Sequence, residues 1–217
     1  MKTCSLYGFS PDSPPFVGRS PAAQVDLLRA WGNIATFGGY QDTAFVQAAH
    51  AADLPVYAEF GCFIGRHRWD HLPENRPLVA EGKPLAIRPG LTLGLFGGPW
   101  RLSDYDGAIL EIIGQDYRAL GPYIDIFSPI VYHKMCNFTV EWIAQVIEEI
   151  HSLTDKPIWP IIQSVDNPLP LPANEYRRAL QTALHCPAAD GVLVFTLKGP
   201  LDDDKLAVTR TELGRYA

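Results

Sequence analysis

The chain is predicted to be an α/β protein of parallel strands and crossover helices, most simply one domain over residues 1–217 built as a (β/α)8-type barrel, complete or limited to seven recognisable strands. Three observations predict it. Short apolar runs alternate with stretches of helical period along most of the chain. The strand runs are almost continuously apolar, as parallel strands covered on both faces require. A length of 217 residues is one at which such barrels form a single domain. An open doubly wound sheet is the alternative, although no GxGxxG follows the first strand to mark a dinucleotide fold.

The first unit is TCSLYGF (3–9), a Pro-rich loop, and a helix in PAAQVDLLRAWG, with Ser20 placed to cap it and Pro21 in its first turn. NIATFGGY supplies a strand ending at Gly38-Gly39, QDTAFVQAAHAAD a helix with Phe45, Ala48 and Ala49 on one face, and LPVYAEFGCF a third strand. From Ile64 to Gly90 the rhythm stops in a loop rich in Pro, Gly and charge, longer than most connections inside a domain. Alternation resumes with TLGLFG, a helix around DGAILEIIGQDYRAL, the strand IDIFSPIVY, and TVEWIAQVIEEIHSL with Thr139 as its cap. PIWPIIQ with ANEYRRALQTAL, and GVLVFTL with a helix within LDDDKLAVTRTEL, complete the series. Seven strands result where a closed barrel needs eight, so one lies hidden in residues 64–90 or the ring is incomplete.

Apolar residues make up 47% of the chain and aromatics 11%, enough for a sizeable core. A net charge of −6 without any basic run argues against nucleic acid, whose phosphates need clustered Lys and Arg. A neutral or cationic ligand fits better. Cys4, Cys62, Cys136 and Cys186 form no metal or disulfide spacing, so free thiols are expected. The start MKTCSLYGFS lacks the apolar core of a secretory signal and no run of ~18 apolar residues occurs, which predicts a soluble cytoplasmic protein with no membrane partner. No cofactor is expected.

In parallel α/β folds of this kind ligands gather at the carboxyl ends of the strands. The polar residues predicted there are Asp12, Tyr40, Glu59, Trp100, Arg101, Tyr132, His133, Gln163, Asp166 and Lys198. Glu59 stands out, because an ionised carboxylate inside an apolar strand is costly unless it is paired or opens into a site. It is either clasped by an Arg or serves as acid or nucleophile in glycoside chemistry, which uses two carboxyl groups. Asp166 and Asp12 are the candidate partners, each of which could instead cap a turn. His133 could shuttle a proton or bind a hydroxyl. Trp100, Tyr40 and Trp69 could stack on sugar faces or cover the core.

Weaker signals complete the set. His67, Asp70 and His71 carry metal-ligand side chains but lack a helix to align them, so no metal site is expected. Lys198 could form a Schiff base or bind phosphate. Asp202, Asp203 and Asp204 suit the start of the last helix, where negative charge meets the positive dipole end. Asp125, early in its strand, suits a structural role.

Five stretches together, GFSPDSPPF, VYAEFGCFIG, WDHLPENRPLVAEGKPL, GQDYRAL and IDIFSPIVYHKMC, resemble a group of largely uncharacterised bacterial TIM-barrel proteins of the glycoside-hydrolase type. The resemblance implies a (β/α)8 barrel and hydrolysis of an oligo- or polysaccharide. One departure matters: members of that group continue after GKPL with a helix and a strand, DG-x-W-x-D-F, that ends in an acidic residue, whereas here Leu85 leads almost at once into AIRPGLTLGLF. The missing strand-four acid makes a catalytically impaired or sugar-binding barrel the alternative expectation.

Overall fold

A computed structural model describes residues 2–6, 12–38, 43–59, 92–196 and 204–216. The strands are β1 (Thr3–Leu6), β2 (Ala35–Gly38), β3 (Val56–Glu59), β4 (Gly94–Gly97), β5 (Ile126–Pro129), β6 (Ile161–Gln163) and β7 (Gly191–Phe195). The helices are α1 (Pro21–Arg29), α2 (Thr43–Ala51), α3 (Ala108–Glu111), α4 (Tyr117–Leu120), α5 (Trp142–Thr154), α6 (Ala173–His185) and α7 (Asp204–Leu213). All named strand pairs are parallel, so the paired successive strands β2 and β3, β4 and β5, and β6 and β7 are joined by crossovers.

The predicted eight-stranded barrel is not found among the described residues. Instead the strands form three small parallel sheets, ordered β1-β7-β6, β2-β3 and β4-β5. Closing a barrel requires hydrogen-bonded neighbours on both edges of every strand. Among the described residues β2 pairs only with β3 and β4 only with β5, while β5 and β6 meet at a single bridge, Phe127 to Ile158. The strands span only three to five residues, which leaves little ladder to carry closure. Residues 64–90, the predicted long loop, lie outside the described residues.

Local chemistry explains the helices. Ser20 Oγ accepts the Ala23 N–H at 3.3 Å and Pro21 opens α1, as their types predict. The predicted cap at Thr139 is displaced: α5 begins after Glu141, no side chain caps it, and the Thr139 carbonyl accepts the Trp142 N–H. The predicted helix around 106–120 is broken. Tyr105, Asp106, Gly107 and Gly114 all adopt positive φ, splitting the stretch into a 3-10 turn, α3 and α4, the last capped by Asp116. Asp204 opens α7, and Asp202 and Asp203 lie outside the described residues. Asp125 accepts from Leu93 N–H at 2.8 Å and returns its own N–H to the Leu93 carbonyl, pinning the starts of β4 and β5.

Two cores result. The larger lies between strands and helices, where Ile143, Val146, Ile147 and Ile150 of α5 and Tyr176, Ala179, Leu180 and Ala183 of α6 repeat at helical spacing. The smaller gathers residues of all three sheets: Ile126, Trp159, Ile161 and Leu193, with Tyr57, Phe96 and Phe195 packed against them. Tyr57 meets Trp159 edge-on at 5.4 Å, and Tyr132 stacks on Phe195 at 5.8 Å. Tyr132 thus roofs this inner core where β5 and β7 end.

Candidate functional site

Beyond β5 the backbone turns sharply, with the N–H groups of Val131, Tyr132 and His133 each donating to the carbonyl two residues earlier. The turn drives His133 inward until only 1% of its side chain is exposed. Its Nε2 lies 3.2 Å from Glu175 Oε1, in the first turn of α6. Lys134 Nζ reaches the same carboxylate at 3.0 and 3.2 Å. Nδ1 of His133 has no hydrogen-bond partner among the described residues.

Electrostatics fixes the charge states. Burial pushes the His133 imidazole down from its usual 6.5 and outweighs the hydrogen bond and charge of Glu175, so the ring is neutral near pH 7. The contact to Glu175 is therefore a hydrogen bond donated by Nε2–H rather than an ion pair. Burial raises Glu175, but the hydrogen bonds from Lys134 and His133 prevail and hold it below the usual carboxylate range. Glu175, 25% exposed, also lines an open cleft of about 440 Å³ with Thr139, Val140, Glu141, Pro172 and Arg178. Arg178 pairs with Glu141 at 3.0 Å on its exposed rim.

The other predicted residues are distributed around this group. Gln163 is fully buried; its Nε2 donates to the Val165 and Asn167 carbonyls at 2.9 and 2.8 Å and its Oε1 accepts from Met135 N–H, tying the loops after β5 and β6 together. Asp166, 60% exposed, accepts from Lys205 Nζ at 2.6 Å and from Leu171 N–H at 2.7 Å, and the Lys205 hydrogen bond is the main reason its carboxyl is lowered. Asp12 is exposed in the loop before α1. Glu59 is the last residue of β3, its backbone in register with Gly38, while its side chain lies outside the described part of the structure. Tyr40, Lys198, His67, Trp69, Asp70 and His71 lie outside the described residues.

Trp100 and Arg101 belong to a separate cluster after β4. Arg101 forks onto Asp104, with Nη2 at 2.8 Å from Oδ1, and its Nη1 donates to Gln145 Oε1 at 2.7 Å. Asp104 also accepts the Trp142 indole N–H at 2.8 Å. Trp100 packs edge-on against Tyr105 at 5.5 Å, and its Nε1 has no partner among the described residues.

Tyr132, His133, Gln163 and Asp166 are thus brought to one end of β5 and β6, and Trp100 and Arg101 are not. Sequence reasoning missed Glu175, Lys134 and Asp104. Glu175 looks like an ordinary first-turn acid that complements a helix dipole, and it meets His133 across 42 positions, a spacing no motif encodes. The PANEYRRAL context held one usable signal, a carboxylate at a helix start facing the strand-end loops.

Compared with family models, with curated proteins and with solved structures, the chain finds no match. The family resemblance therefore stands on the quoted stretches alone. Among the described residues no group of three His, Cys, Asp or Glu side chains could hold a metal ion, and no helix is long and apolar enough to cross a membrane.

Proposed function

We propose that the chain hydrolyses a glycosidic bond in an oligo- or polysaccharide by carboxylate chemistry at the carboxyl ends of its parallel strands. The observation that carries this reading is the position of Glu59 as the terminal residue of β3, the strand end where ligands of parallel α/β folds collect. Glu59 is assigned the acid, protonating the leaving oxygen. Asp166, ionised beside Lys205, suits the complementary part, attacking the anomeric carbon or taking a proton from the attacking water. Tyr132 is assigned to the sugar and the buried His133, held by Glu175, to the support of that strand end, and the net charge of −6 accords with a neutral substrate rather than nucleic acid. Free thiols at Cys4, Cys136 and Cys186 support a cytoplasmic setting.

A panel of chromogenic glycosides tests this with Glu59→Gln as control. Turnover by the wild-type chain, reduced about 100-fold or more in the variant, is the expected result for loss of a general acid. No turnover on any glycoside, or equal turnover in both proteins, overturns it. One observation favours a second reading, sugar binding without hydrolysis: Asp166 is already engaged by Lys205 and Leu171. Saturable oligosaccharide binding by calorimetry with no released product selects that reading.

A further inference from the structure

Among the described residues one group bonds the His133 ring. Its ring is sealed from solvent, and of its two nitrogens only Nε2 has a partner among the described residues, the Glu175 carboxylate at 3.2 Å. An ionised carboxylate only accepts, so the nitrogen facing it carries the proton. A neutral imidazole has a single N–H, which leaves the lone pair on Nδ1. Protonating Nδ1 as well would place a second donor in a buried position without an acceptor among the described residues.

We infer that Glu175 is a positioning residue for His133, holding the buried ring as the Nε2–H tautomer with the lone pair on Nδ1. The inference goes beyond the hydrolase reading and does not depend on it, because it concerns the protonation of a ring that is sealed from solvent. Lys134 opposes it in part, since its ammonium shares the carboxylate and weakens the pull of Glu175 on the ring. The charged groups bearing on His133 are Glu175 of α6, its chain neighbour Lys134, and Glu141 beside the start of α5.

Long-range nitrogen NMR of the histidine-labelled protein, with His133→Gln assigning the signal, tests this without any substrate. In the wild-type chain above pH 7 the expected pattern is a protonated Nε2 and an unprotonated Nδ1. Glu175→Gln replaces a pure acceptor by an amide that can also donate, so the two tautomers should mix and the titration midpoint should move down. Lys134→Met, which leaves the carboxylate in place, should move the midpoint up. A wild-type ring protonated on Nδ1 overturns the inference, as does a Glu175→Gln spectrum with unchanged nitrogen shifts and midpoint. If Glu175→Gln does not fold, the wild-type tautomer and the Lys134→Met shift decide. The outcome separates from the hydrolase reading: correct tautomer with no glycoside turnover removes only hydrolysis, and an Nδ1–H ring in an active enzyme removes only the positioning role.

Discussion

After β4, the buried carboxylate of Asp104 accepts from Arg101 Nε, Nη2 and backbone N–H and from the Trp142 indole, so both its oxygens are used. After the adjacent β5, His133 is just as deeply buried but leaves Nδ1 without a partner among the described residues. Burial of polar groups is inexpensive when every donor and acceptor is matched and costs about 1–3 kcal/mol when one is not. The Asp104 carboxylate therefore behaves as a brace that joins the loop after β4 to α5. The cluster after β5 holds an unmatched ring nitrogen at a strand end; the indole N–H groups of Trp100 and Trp31 are also unmatched among the described residues, so it is the strand-end position that sets His133 apart.

The largest expected effect breaks the brace. Asp104→Ala removes the partner of a buried Trp142 N–H and of the Arg101 guanidinium together, and should lower the unfolding free energy by about 3 kcal/mol in a denaturant titration. A loss below about 1 kcal/mol would erase the distinction between the clusters.

Acid titration sharpens it next. The folded pKa of His133 lies below its unfolded value near 6.5, so between those two values the unfolded chain binds more protons and stability rises with pH. Above about 6.5 the ring is neutral in both states and contributes no slope. Unfolding free energy should thus start to fall as the pH drops below about 6.5, by at most about 1.4 kcal/mol per pH unit from this ring. Asp104 and Glu175, both held below the usual carboxylate range, extend the decline below about pH 4.5. A wild-type curve flat from pH 7 to 5 would show that His133 is not buried neutral.

The smallest effect belongs to the loop after β6. Asp166→Asn weakens the pair of this largely exposed carboxylate with Lys205 while keeping an acceptor for Leu171 N–H, and stability should change by about 1 kcal/mol or less. A larger loss would make the Asp166 loop a brace of the Asp104 kind.

Local features were the most legible in the sequence. Ser20 capping α1, Phe45 and Ala49 on the buried face of α2, and the parallel strands at Thr3–Leu6 and Gly191–Phe195 all follow from residue type and period. Pairing between distant strands was not legible. Seven apolar runs suit a ring, but which edges meet depends on crossover geometry, and the described strands pair into three sheets instead. The broken helix at 106–120 was misread because apolar period masked Gly107 and Gly114, whose positive φ ends each turn. At the site, strand-end position marked Tyr132, His133 and Gln163 for inspection. It could not disclose that Arg101 meets Asp104 three residues away, or that Glu175 reaches back to His133 from 42 positions later in the chain.

His133→Leu is the most direct measurement of the contrast between the two clusters. It deletes the unmatched nitrogen, keeps the bulk of the side chain, and leaves Glu175 bonded to Lys134. At pH 7 its unfolding free energy should equal or exceed that of the wild type to within about 1 kcal/mol. A loss of about 3 kcal/mol, the size expected for Asp104→Ala, would show that His133 is a brace as well and would contradict the contrast between the clusters.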